Sequence, residues 1–154
     1  MKIFLVFLVF FASNSLALDD NLLKSIEISA HGNRFQSERL KIASENLANE
    51  DSTSTQPGGS PYQRKVVFAK NVYDKKVKAK LVRVRKYDYD KRPFKIKYDP
   101  YHPAADEEGY VKLPNVEKII EKADAMEAQR SYEANLGMIE LSKQMIDRTI
   151  DAMR

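Results

Sequence analysis

The sequence predicts a mainly α protein: long N- and C-terminal heptad helices paired as a coiled coil, with a small β-rich insertion between them. Three observations predict it. In the first third of the chain Ile28, Phe35 and Ile42 recur every seven residues, as do Leu40 and Leu47. In the last quarter Tyr132, Ile139, Ile146 and Met153 do the same. Between these stretches the apolar period falls to two, in Val77, Ala79 and Leu81 and again in Phe94, Ile96 and Tyr98. Seven-residue spacing keeps side chains on one stripe facing a partner helix, whereas period two places them on one face of a strand.

The elements follow in order. Residues 1–17 have the layout of a secretory signal peptide: Lys2, an apolar run from 3 to 11, and small residues at Ser15 and Ala17. The apolar run is short of the roughly 20 residues that a spanning helix needs. Cleavage before Leu18 and no stable membrane insertion afterwards are expected. Residues 18–49 form the N-terminal helix, with Asp19 or Asp20 as its cap. Gly32 and Asn33 predict fraying or a bend within it. Residues 50–61, EDSTSTQPGGSP, carry no apolar side chain to bury and predict a mobile linker. Residues 62–98 form a β-rich basic segment, and the phase slip at Leu81–Val82 predicts a bulge or a change of face. Residues 99–116 are rich in turn-forming Pro and Gly. Residues 117–154 contain no Pro and one Gly, and predict a long helix. Leu136 and Ile150 widen its stripe, Met138 and Met145 line its edge, and one partner helix leaves part of this apolar surface for other subunits.

Composition excludes much chemistry. The 154 residues are 43% hydrophobic and 31% charged, with a net charge of +4 and no cysteine. Disulfides, thiolate metal sites and cysteine nucleophiles are thereby ruled out. There is no Gly-x-Ser-x-Gly elbow, and Gly58-Gly59 lacks the Lys-Ser/Thr sequel of a phosphate loop. His102 with Asp99, Asp106, Glu107 and Glu108 matches no metal-ligand spacing. No catalytic, cofactor-binding or metal site is expected, and the chain is expected not to be an enzyme. Residues 63–97 hold fourteen Lys/Arg against three Asp. Lysines on the open face or edge of a small sheet account for that charge without nucleic acid, which is not expected as a partner. Asn46, Asn49, Asn115 and Asn135 lie at or beside the helix stripes. They act either as caps, Asn115 most obviously, or, for Asn46 and Asn135, as buried residues that fix helix register.

Three blocks carry a family resemblance over most of 21–154. ASENLAN at 43–49 is similar to the "sNiAN" ending of the first helix of flagellar axial proteins. YDPYHPAADEEGYV at 98–111, followed by PNV at 114–116, is similar to a "YDPxHPxAdxxGYVxxPNV" signature. EAQRSYEAN at 127–135 is similar to the "EAsRaYqaN" of the last helix. Together they resemble the flagellar basal-body rod proteins, and the second block resembles the rod protein C group of the proximal rod. The resemblance implies a structural subunit of the basal-body rod in the periplasm, with paired terminal helices packed into a helical tube and the middle segment projecting outward. It also implies partners: copies of the chain itself and other rod and hook-basal-body proteins. Ile28, Phe35, Ile42, Asn46, Asn49, Arg130, Tyr132, Asn135, Ile139 and Ile146 are the expected assembly interface. Residues 1–17 depart from the family, whose members lack a cleavable leader.

Two other classes compete. A periplasmic adaptor or binding protein reusing the two-helix scaffold should stay monomeric with a discrete ligand. A cell-wall enzyme needs an acid/base pair in a cleft, which two helices around a small β piece scarcely form.

Overall fold

The computed structural model describes residues 2–153, with side chains from 20 to 153. The element order is α1 (Lys2–Ala48), β1 (Lys65–Asp74), β2 (Ala79–Tyr89), β3 (Lys95–Tyr98), β4 (Tyr110–Leu113) and α2 (Lys118–Ala152). The leader expected over 1–17 concerns side chains outside the described ones. Among the described residues no helix is long and apolar enough to cross a membrane.

α1 and α2 lie side by side and antiparallel, since Ser25 meets Ser142 while Asn46 meets Glu121. The least exposed positions of α2 include Glu121, Ala125, Ala128, Tyr132, Asn135, Ile139, Ser142 and Ile146. These alternate by four and three, as a seam facing one partner helix requires. Three of the expected stripe residues, Tyr132, Ile139 and Ile146, fall on that seam. Leu136 and Ile150 do not: they are 45% and 42% exposed, because small and polar residues occupy the closest approach in their place. α1 runs through Gly32 and Asn33 as unbroken helix. Packing overrides propensity there, because a Cβ on Gly32 would stand 2.6 Å from Asn135 Nδ2. Asp20 is no cap either; it lies within the helix and pairs with Lys24 at 2.6 Å.

β1 and β2 form an antiparallel hairpin, and its β2 strand packs along α1. The register shifts between Phe68 and Ala69, where the partners jump from Lys86 to Val84. The extra residue is therefore Arg85, and the bulge is not at Leu81–Val82 as the phase slip suggested. Leu81 is fully buried while Val82 and Val84 face α1 beside Phe35. Both alternating phases are thus satisfied by burial on two faces. Ile42 packs near Val66 and Val67. Phe35 thus lies against the hairpin, Ile42 lies where the hairpin and α2 meet, and Ile28 is 44% exposed.

β3 and β4 make a second two-stranded sheet, with Tyr98 and Tyr110 edge to face at 5.3 Å. β4 lies inside the stretch expected to be rich in turns. Gly109 connects them at φ 85°, and a Cβ there would meet Pro100 Cβ and Tyr98 Cε2 at 3.0 Å. The 50–61 linker is held at several points. Gly58 donates to Ala104 O at 3.1 Å, Lys112 Nζ donates to Gly58 O at 3.1 Å, and Ser52 Oγ closes on Asn49 O at 2.9 Å. Its polar groups, backbone and side chain, supply the attachment that apolar burial does not; Glu50 also pairs with Lys118 of α2 at 3.2 Å.

Candidate functional site: the polar junction and the open helix flank

The two helices, the hairpin and the signature segment meet at a buried polar junction. Asn46 is fully buried on the last turns of α1. Its Nδ2 donates to Lys65 O and to Glu121 Oε2, both at 2.9 Å. Its Oδ1 accepts from Tyr62 Oη at 2.8 Å and from Lys65 N at 2.9 Å. An amide side chain offers two donors and two lone pairs, and all four are used. One side chain thus joins α1, the start of β1 and α2. ASENLAN delivers it because the helix ends two residues later, where Asn49 Nδ2 donates to Glu45 O at 2.8 Å and closes the final turn.

Glu121 is 1% exposed, and a buried carboxylate needs a charged partner. Arg64 supplies it: Nε donates to Glu121 Oε1, and the guanidinium also reaches Asp90 and Asp124 at 3.5 Å. Arg92 binds Asp90 at 2.7 Å and, with Arg64, holds the Asp90 carboxyl below the usual carboxylate range. Burial pushes the Tyr62 hydroxyl up. Asn115, also buried, accepts from Arg64 N at 2.8 Å and donates to the carbonyls of Asp90 and Arg92 at 3.0 and 2.9 Å. It is therefore a staple between segments and not the cap of α2, whose Ncap Glu117 makes no side-chain cap bond.

Sequence reasoning named Asn46 and Asn115 but missed Tyr62, Arg64 and Glu121. Glu121 had one usable signal: it sits seven residues before Ala128 and fourteen before Asn135, on the stripe itself. A lone acid at such a position demands a buried partner.

The remaining expected interface residues separate into groups. Asn135 faces Gly32 across the seam, and Tyr132, Ile139 and Ile146 are half-buried along it. Arg130 is exposed. The flank of α2 that carries Asp124 and Glu127 continues toward the C-terminus as Ala134, Met138, Leu141 and Met145, the last three 43–50% accessible. Their four- and three-residue spacing makes a second stripe beside the seam. On α1, Asn33 is 8% exposed and its Oδ1 has no hydrogen-bond partner among the described residues. No three His, Asp or Glu side chains converge as a metal cage among the described residues.

Residues 107–152 match the flagellar basal body rod FlgEFG protein C-terminal family. The chain is similar to the flagellar basal-body rod protein FlgC of Agrobacterium fabrum, 43% identical over 88% of this chain and 97% of the relative. It is also similar to the protein of the same name from Borreliella burgdorferi, 39% identical over 80% and 92% of the two chains. The Aquifex aeolicus protein of that name is 37% identical over 87% and 98%.

Proposed function

This chain belongs to the FlgC family of flagellar basal-body rod proteins, a structural and non-enzymatic subunit of the basal-body rod, and we propose from that premise how it assembles. The α1–α2 pair is the assembly module and behaves as a short antiparallel coiled coil. Its seam is internal, so Ile139, Ile146, Asn46 and Asn135 act by setting the shape of the subunit. Neighbouring copies and other rod proteins dock on the exposed flank of Ala134, Met138, Leu141 and Met145 in the periplasm.

The observation that carries this reading is the second apolar stripe on α2, at helix–helix spacing and open to solvent. Leu141→Asp should leave the circular dichroism of the purified chain unchanged and remove it from isolated basal bodies. Normal incorporation of that variant would overturn the flank as a docking surface. The relatives' family does not favour the adaptor alternative. We further propose that residues 1–17 are cleaved before Leu18, on the strength of their charge and apolar layout. N-terminal sequencing of the chain from basal bodies checks it, and Met1 at the mature terminus would refute it.

A further inference from the structure

The β1–β2 hairpin ends in an unusual concentration of charge. Lys70, Lys75, Lys76, Lys78 and Lys80 are all exposed and make no ion pair among the described residues. Two acids lie near the tip, and both are engaged: Asp74 accepts from Lys76 N and Val77 N and binds Arg83 at 3.1 Å, and Asp20 of α1, near Lys78, pairs with Lys24 at 2.6 Å. Two local features raise the cost of this arrangement. Lys70 stands directly opposite Arg83 in the ladder, a like-charge pair that destabilises a sheet. Lys78 adopts φ 54°, a conformation that Gly or Asn takes more easily. Neither the ladder nor the turn needs lysine at these positions.

The tip and the 106–108 turn lie at opposite ends of the molecule. The hairpin begins beside Asn46, passes Glu38 at Tyr87 and reaches His31 at Val82, so its tip points toward the start of α1. The turn lies at the other end, tied through Gly58 to the linker that follows α1. Within that turn Asp106 is consumed by the backbone N–H groups of Glu108 and Tyr110. Glu107 and Glu108 are exposed and make no ion pair among the described residues.

We propose that the lysine tip of the β1–β2 hairpin docks on the Glu107–Glu108 turn of a second copy of this chain, head to tail. The inference rests on the reading above that copies of the chain associate. Complementary charges at opposite ends give a contact that does not close on itself, as an open assembly requires. The lysines project from the tip turn and from both faces of a narrow two-stranded ribbon. That shape surrounds a compact acidic knob better than it covers a flat anionic surface. The contact fixes which way neighbouring copies point, and it weakens as salt screens it.

The chain has no cysteine, so introduced thiols report cleanly. Cells producing the Lys76→Cys and Glu107→Cys chains together should yield a disulfide-linked dimer in isolated basal bodies. Neither chain alone should yield one. Triple reversal of Lys75, Lys76 and Lys78 to Glu should reduce incorporation by about tenfold or more, since like charges then meet across the contact. Double reversal of Glu107 and Glu108 to Lys should do the same, and the two sets combined in one chain should restore incorporation. Failure of the combined chain to recover, with unchanged circular dichroism, overturns the proposal, as does normal incorporation of either single set. Met138→Cys separates the two readings. Flank crosslinks without any between positions 76 and 107 overturn the tip contact alone, whereas absence of both overturns self-association as well.

Discussion

Asn46 shows how much one amide can organise when every hydrogen-bonding position is matched. Replacing it by Ala removes four bonds and leaves Glu121 short of a donor in a site that is 1% exposed. The loss should be about 3 kcal/mol of stability, the range for breaking a buried charged network. Urea denaturation of the Asn46→Ala chain measures it, and a change under about 1 kcal/mol would show that water replaces the amide. Gly32 is a second case. A methyl there gains about 0.5–1 kcal/mol of helix propensity but displaces the Asn135 side chain. Gly32→Ala should therefore be near neutral or worse, while Gly32→Ala with Asn135→Ala should melt above either single variant. If the two effects simply add, Gly32 is not set by the approach of Asn135.

At the scale of elements, the signature segment is constrained by geometry and the linker by its attachments. Gly109 combines φ 85° with 3.0 Å approaches to Pro100 and Tyr98, so Gly109→Val is penalised by both backbone and contact. It should cost about 2–4 kcal/mol and disrupt the β3–β4 pairing. Two-dimensional NMR of Tyr98 and Tyr110 checks this, and unchanged ring shifts would argue against a constrained turn. Removing Thr53 and Thr55 should be tolerated far better, because loop length costs little. Gly58 should not be removed with them, since it holds Ala104 and Lys112.

At the scale of the whole molecule, the described residues bury little apolar surface. Their fully enclosed hydrophobic side chains are few and mostly small, among them Ala43, Ala104, Val111, Val116 and Ala128, while Met138, Leu141, Met145 and Met153 are open. A dilute chain should therefore show weak hydrogen-exchange protection over the second half of α2 and strong protection near Asn46 and Glu121. Uniform protection along α2 would count against ordering on assembly. Acid should act both at this junction and at the hairpin tip. The folded pKa values of Asp90 and Asp74 lie below their unfolded values, Asp90 through Arg92 and Asp74 through the turn N–H groups. Their stabilisation is thus fully present above about pH 4 and is lost as pH falls below that toward the folded values. Melting temperature should fall below about pH 4, and less steeply in Asp90→Asn.

Periodicity by itself determined the two helices, the β-rich insertion and the stripe of Tyr132, Ile139 and Ile146, because apolar spacing dictates which residues share a face. The blocks at 43–49, 98–111 and 127–135 likewise carried the family. What each stripe faces was decided only by the tertiary structure. Phe35 turns to the hairpin and Ile42 to the place where the hairpin and α2 meet, while Ser25, Gly32, Ser142 and Asn135 supply contacts between α1 and α2. Spacing records a face but not its partner. The Asn46–Glu121–Arg64 junction was equally hidden, since its members are 75 and 57 residues apart in pairs and only the folded chain brings their charges together.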